Sequence, residues 1–197
     1  MNYLLFLGAY LIGSISFAIV ISKLMRIEDP RTYGSQNAGA TNVMRSGNKK
    51  AAVFTLIGDC LKGVLVVELA KYLLGNDIKV QGIIAICGVL VIIGHAYPIF
   101  FKFKGGKGVA TTLGVMLGFN IFLAILLLFT WLVVFKIAKV SSLSALIATL
   151  LSPIYAYYLM GNSAYFGAVL LIAFFVLYKH KSNIIRLISG KEDSFKN

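Results

Sequence analysis

The sequence predicts an all-α, polytopic membrane helix bundle with seven transmembrane helices. Three observations carry that reading. Fifty-nine per cent of the 197 residues are hydrophobic, and the mean hydropathy is +0.87, far outside the range of soluble domains. The apolar residues lie in long continuous runs, whereas a membrane β-barrel shows short alternating segments. The charged residues gather in short stretches between those runs, where positive charge orients a membrane protein. That placement argues against nucleic acid, the first partner that a net charge of +12 suggests. A chain of this length has room for one bundle, so residues 1–197 read as one integral-membrane domain. Cys60 and Cys87 fall inside apolar spans and read as small buried hydrophobes, not as a disulfide or a metal site. The first residues lack a basic region and a small-residue cleavage site, so they read as a retained helix.

The first span runs from Tyr3 to about Leu24, with Gly8, Gly13, Ser14 and Ser16 offering close approach to a neighbour. Residues 26–50 form the longest polar stretch. It contains Gly34-Ser35-Gln36-Asn37-Ala38-Gly39-Ala40-Thr41-Asn42, followed by Arg45. Loops of this length in a compact bundle are usually functional. Its hydroxyls and amides can bind an oxyanion, and arginine grips phosphate as a fork. The plainer alternative is a connector with Thr41 or Asn42 as an N-cap. The second span, 51–74, carries Asp59, Lys62 and Glu68. Ionisable groups at depth are costly and face the bundle interior. Asp59 and Lys62 are three apart, share a helix face and should pair, a reading preferred to a catalytic carboxylate. Glu68 and Lys71 can pair likewise near the other end. Gly75-Asn76-Asp77-Ile78-Lys79 connects to the third span, 81–97. This span closes on Gly94-His95-Ala96-Tyr97-Pro98, and Pro98 ends or kinks it. His95 fits either a site base or a hydrogen-bonded helix-end histidine.

Phe101-Lys102-Phe103-Lys104-Gly105-Gly106-Lys107-Gly108-Val109-Ala110-Thr111-Thr112 comes next, the stretch around which the reading turns. Glycines can aim successive backbone N–H groups into one concavity, a nest for an anion. A helix starting near Gly108 adds its free N–H groups and the positive end of its dipole. The spacing is not that of a P-loop, and a basic loop obeying charge asymmetry is the bland alternative. The apolar run 109–138 is too long for one untilted span, since ~20 residues suffice. Gly118-Phe119-Asn120 splits it into a short fourth span, 108–119, and a fifth, 121–138. Lys136, Lys139, Ser141 and Ser142 mark a loop before the sixth span, 142–160. Gly161-Asn162-Ser163 is a turn, and the seventh span is 164–178. A polar tail with His180 and Asn183 follows.

Sixteen of the nineteen lysines and arginines fall in 23–50, 102–107, 136–139 and 179–196. Seven spans put all four segments on one side, which should be cytoplasmic, with the N-terminus outside and the C-terminus inside. Phosphate donors, cations and a titratable imidazole then converge beside a membrane that can hold a lipid chain. Such a site suits a water-soluble phosphorylated molecule.

Three motifs match a known family. They are Gly34 to Asn42 with Arg45; Gly94-His95-Ala96-Tyr97-Pro98 continuing through Lys104 to Thr111; and His180, Asn183-Ile184, Arg186-Leu187, Gly190 and Glu192. In order and spacing the chain resembles the acyl-phosphate:glycerol-3-phosphate acyltransferases, small bacterial inner-membrane enzymes that begin phospholipid synthesis. The family often has Gly-Ser-Ile-Pro-Phe-Gly in the first helix. Gly13-Ser14-Ile15-Ser16-Phe17-Ala18 stands here, which loosens a packing expectation only.

The resemblance implies a fatty acyl phosphate donor, a glycerol 3-phosphate acceptor, and 1-acylglycerol 3-phosphate with inorganic phosphate as products. It implies no cofactor and no metal, and a monomer in the bilayer. Expected catalytic residues are His180, Asn183, Ser35, Arg45 and Lys104. Lys104, Lys107, Gly105, Gly106 and Gly108 are expected to cradle the acceptor phosphate, while Ser35, Asn37, Thr41, Asn42 and Arg45 hold the donor head or share the acceptor. Ser142 adds a donor. Either His180 or a substrate phosphate accepts the hydroxyl proton, and the residues leave both open. With four residues between, His95 is followed by Phe100 and His180 by Ile185, so the His-x-x-x-x-Asp chemistry of soluble acyltransferases is not signalled. A transporter of a phosphorylated or other small anion is the rival reading; against it, the cations lie on one side and no inverted half-repeat is visible.

Overall fold

The computed structural model describes residues 2–75 and 77–195. Met1, Asn76 of the expected connector, and Lys196 and Asn197 of the basic tail lie outside the described residues. All regular structure among the described residues is helical. The first apolar run is broken. α1 (Asn2–Gly13) and α2 (Phe17–Leu24) meet at 44° across Ser14–Ser16. Gly13 lets α1 touch the third apolar helix, α5 (Gln81–Ala96), because a Cβ there would collide with the Val91 carbonyl. Gly94 answers it against Tyr10, whereas Gly8 faces open space.

The long polar loop holds one short helix, α3 (Ala40–Met44), capped by Gly39 rather than by Thr41 or Asn42. Asn42 is instead buried as a loop clasp. Its Oδ1 accepts the Ser35 N–H at 2.9 Å, and its Nδ2 donates to the Pro30 carbonyl at 2.6 Å. α4 (Lys49–Leu74) begins two residues earlier than expected, because the Asn48 side chain accepts the Ala51 N–H.

α6 (Val109–Phe119) and α7 (Ile121–Ala138) divide at Asn120, whose Oδ1 accepts the N–H groups of Phe122 and Leu123. At 1.5 Å per residue, α6 is about 16 Å long, roughly half of a ~30 Å hydrocarbon core. It is therefore a short helix inside the bundle. Gly114 and Gly118 bring it onto α4, where Cβ atoms would strike the Cys60 carbonyl and Val67. Small residues matter here because lipid supplies no hydrophobic drive for helix association. α8 (Ser141–Met160) contains Pro153. Proline removes the N–H that would bond the Thr149 carbonyl, and the Ser152 hydroxyl replaces it at 2.7 Å.

α9 (Ala164–Lys179) turns by 58° into α10 (Lys181–Ile188), the amphipathic tail helix. Helices thus occupy all seven predicted segments. Among the described residues, three helical segments are long and apolar enough to cross a membrane, and five are if each bent pair is one span.

Candidate active site

One polar cavity collects residues from four parts of the chain: the 26–50 loop, the glycine-lysine loop, the start of α8 just after the 136–139 basic segment, and the tail. Ser35, Asn37, Thr41 and Arg45 line one wall. Lys107 and Gly108 form another, with Ser141, Ser142, His180 and Asn183, and Asp59 and His95 also reach it. Thr41 Oγ1 and Ser141 Oγ lie 3.1 Å apart, joining segments a hundred residues distant. Gly108 has φ +92°, a left-handed conformation that costs glycine little. It turns the chain so that α6 starts at the cavity, with Val109 and Ala110 on its surface.

The rest of the expected nest does something else. The N–H of Gly106 donates to the His95 carbonyl at 3.1 Å. A Cβ on Gly105 would collide with that carbonyl, and one on Gly106 with the His95 ring. These glycines permit close backbone packing on the end of α5. Lys104 is exposed and lies outside the cavity. Thus Lys104, Gly105 and Gly106 stand away from the converged site. Asn42 lines the cavity but is buried, its amide already engaged.

Lys107 Nζ donates to Asn183 Oδ1 at 2.6 Å. Burial lowers its pKa to about 8, with Arg186 adding to the shift and Glu192 opposing it. His180, at the break between α9 and α10, has Nδ1 2.7 Å from the Val176 carbonyl. A carbonyl only accepts, so Nδ1 carries the proton and Nε2 holds a lone pair. Burial lowers the imidazole pKa to about 4; the Val176 carbonyl opposes that and the Lys107 charge adds to it. The ring is therefore neutral near pH 7 and a weak base.

Sequence reasoning gave Glu192 no role, yet it is a hub. Its carboxylate accepts from Ser142 Oγ at 2.7 Å, Asn183 Nδ2 at 2.6 Å and Arg186 Nε at 2.6 Å. Burial opposes ionisation, but these three donors together hold its pKa below the ordinary glutamate value. Next to it, Asp193 pairs with Arg45 at 3.0 Å. The Phe195 N–H donates to the Lys139 carbonyl, strapping the tail across the cavity. The available signal was an acidic pair in a tail rich in lysine and arginine.

An apolar groove between α4, α6, α7 and α8 continues from the cavity. Leu56, Val109, Ala110, Trp131 and Ala145 line both. Beyond them the groove is walled by Leu113, Leu127, Leu128 and Leu132, reaching Ser152. A polar head and an apolar chain can therefore be held together.

Comparison with known proteins agrees with this geometry. Residues 3–190 match the family model for glycerol-3-phosphate acyltransferase. A glycerol-3-phosphate acyltransferase of Chromobacterium violaceum is 51% identical, covering 97% of this chain and 93% of the relative. Another from Janthinobacterium sp. (strain Marseille) is 52% identical over 98% and 96% of the two chains. The crystal structure of PlsY (YgiH), an integral membrane glycerol 3-phosphate acyltransferase, in its glycerol 3-phosphate form superposes with a TM-score of 0.92. It is 36% identical and covers 99% of this chain and 96% of that one. The lysophosphatidic acid form gives 0.91, at 35% identity over 99% and 95%. This multi-pass membrane protein belongs to the glycerol-3-phosphate acyltransferase family.

Proposed function

We propose that the chain transfers a fatty acyl group from acyl phosphate to the sn-1 hydroxyl of glycerol 3-phosphate, as one integral-membrane domain acting as a monomer. The products are 1-acylglycerol 3-phosphate and inorganic phosphate, the first step of phospholipid synthesis. The carrying observation is the polar cavity that opens directly into an apolar groove. A small anion to be transported has no use for that groove, and an acyl chain does. The cavity is built within one chain, which supports the monomer. Charge asymmetry supports a cytoplasmic cavity and C-terminus in a bacterial inner membrane, with seven spans and the N-terminus outside.

In this reading Lys107, Gly108 and the free N–H groups at the start of α6 hold the acceptor phosphate. Arg45, Ser35, Asn37 and Thr41 hold the donor head, with Ser142 as a further hydroxyl. Two bound anions repel each other, and preorganised cations and donors offset that repulsion where charge builds up. The sn-1 oxygen bonds to the acyl carbon, the carbon–oxygen bond to phosphate breaks, and phosphate leaves with the electron pair. A phosphate monoester, with a second pKa of about 6, is a stronger base than an imidazole at about 4. The hydroxyl proton therefore goes to a substrate phosphate, and His180 with Asn183 orients the acceptor.

The test is phosphate release by purified protein in lipid, given acyl phosphate and glycerol 3-phosphate. Release that requires both substrates and falls in Lys107→Ala supports the transferase. Folded protein that releases nothing, or that acylates equally well from acyl-CoA, overturns the donor assignment.

A further inference from the structure

Asp59 and His95 also line the cavity and, with Lys62 behind them, form a charged group that the chemistry above does not use. Lys62 of α4 is buried, and its Nζ donates to Asp59 Oδ1 at 2.8 Å and to the Ile15 carbonyl at 2.8 Å. The Ile15 carbonyl belongs to the unwound link between α1 and α2. Lys62 Nζ also lies 3.0 Å from His95 Nδ1. An ammonium only donates, so Nδ1 accepts and Nε2 carries the proton. One lysine thereby ties together three separate pieces of chain.

His95 passes that restraint on. Its carbonyl accepts the Gly106 N–H at 3.1 Å, and its ring lies where a Gly106 side chain would be. Gly106 immediately precedes Lys107 and Gly108, which line the cavity. We infer that Asp59, Lys62 and His95 form a positioning unit for the acceptor-phosphate loop. Lys62 fixes the His95 ring and backbone, and His95 fixes the strand of loop that presents Lys107 and Gly108. Asp59 neutralises the lysine so that it can stay buried. The inference rests on the proposed role of Lys107 at the acceptor phosphate.

Replacing a buried ion pair by apolar side chains of similar size is often tolerated, so Asp59→Leu/Lys62→Met is the informative variant. Melting temperature and the KM values for both substrates are measured in lipid, beside Lys107→Ala. The expected result is a folded double variant whose KM for glycerol 3-phosphate rises about tenfold, while KM for the acyl donor stays within about twofold. A group with only a structural role would lower the melting temperature and leave the two KM values alike, and that result overturns the inference. Should the double variant fail to fold, His95→Gln gives the same readout with the Asp59–Lys62 pair intact. An unchanged acceptor KM in Lys107→Ala instead overturns the site reading on which the inference rests.

Discussion

Two ion pairs on α4 share a spacing and differ in nearly everything else. Asp59–Lys62 and Glu68–Lys71 are both three residues apart, with N···O distances of 2.8 and 3.0 Å. The first pair has both side chains 2% exposed, whereas Glu68 is 53% exposed. Lys62 gathers contacts from α4, from α5 and from the link between α1 and α2. Among the described residues, Glu68 gains only its lysine neighbour. The helix periodicity that brings two charges together is therefore silent about their worth. Burial and the remaining partners decide it.

Removing one charge from each pair is the strongest test of that difference. Lys62→Met leaves the buried Asp59 with only the His95 imidazole, 3.4 Å away, as a partner, and should cost up to about 3–5 kcal/mol. Glu68→Gln should cost no more than about 1 kcal/mol. Chemical or thermal unfolding in detergent measures both. Similar losses would show that water reaches Asp59 and that the interior contrast is wrong.

Lysines of the glycine-lysine loop make the same comparison in terms of activity. Lys107 reaches Asn183 inside the cavity, while Lys104 is exposed outside it. A charged hydrogen bond is worth about 1.5–3 kcal/mol, so Lys107→Ala should lower kcat/KM for glycerol 3-phosphate about tenfold to a hundredfold. Lys104→Ala should stay within about twofold. A reversed order would return the phosphate to the first lysine.

Burial also sharpens the contrast through pH. Lys107 has its pKa lowered to about 8, so it is charged below that pH and loses its proton above it. Because kcat/KM reports the free enzyme, it should fall on the alkaline side of about pH 8, approaching tenfold per pH unit. Arginine keeps its charge throughout, so Lys107→Arg should remove that limb even if its overall rate is lower. The limb's persistence in Lys107→Arg would assign it to another group.

These pairs also mark how far the sequence could be read. Apolar runs located the helices, because a bilayer demands continuous apolar length, and Asn120 marked the α6–α7 division. The segments of the site were legible because hydroxyls, amides and cations are rare elsewhere in the chain. What each residue does was less so. Gly105 and Gly106 suit either an anion nest or a tight backbone contact, and only the nearness of His95 distinguishes them. Asn42 looked like a ligand because an amide that clasps a loop has the same chemistry as one that binds substrate. Glu192 stands in the third motif without an assigned role; its bonds to Asn183 and Arg186 lie within that motif, but its bond to Ser142, fifty residues away, has no local pattern to announce it.

Within the exposed pair the two partners should themselves differ. Lys71 Nζ also donates to the Gly118 carbonyl near the end of α6. Such carbonyls have no partner within their own helix, and a cation there also suits the dipole. Lys71 therefore keeps a function when Glu68 is replaced, whereas Glu68 keeps none when Lys71 is replaced. Glu68→Gln should change stability by a few tenths of a kcal/mol. Lys71→Met should cost about 1 kcal/mol, because it removes the α6 carbonyl's donor as well. Lys71→Met after Glu68→Gln should cost nearly as much as Lys71→Met alone. If the second loss disappears in the Glu68→Gln background, the carboxylate is what holds Lys71 on α6, and the exposed pair shares more with the buried one than its solvent contact suggests.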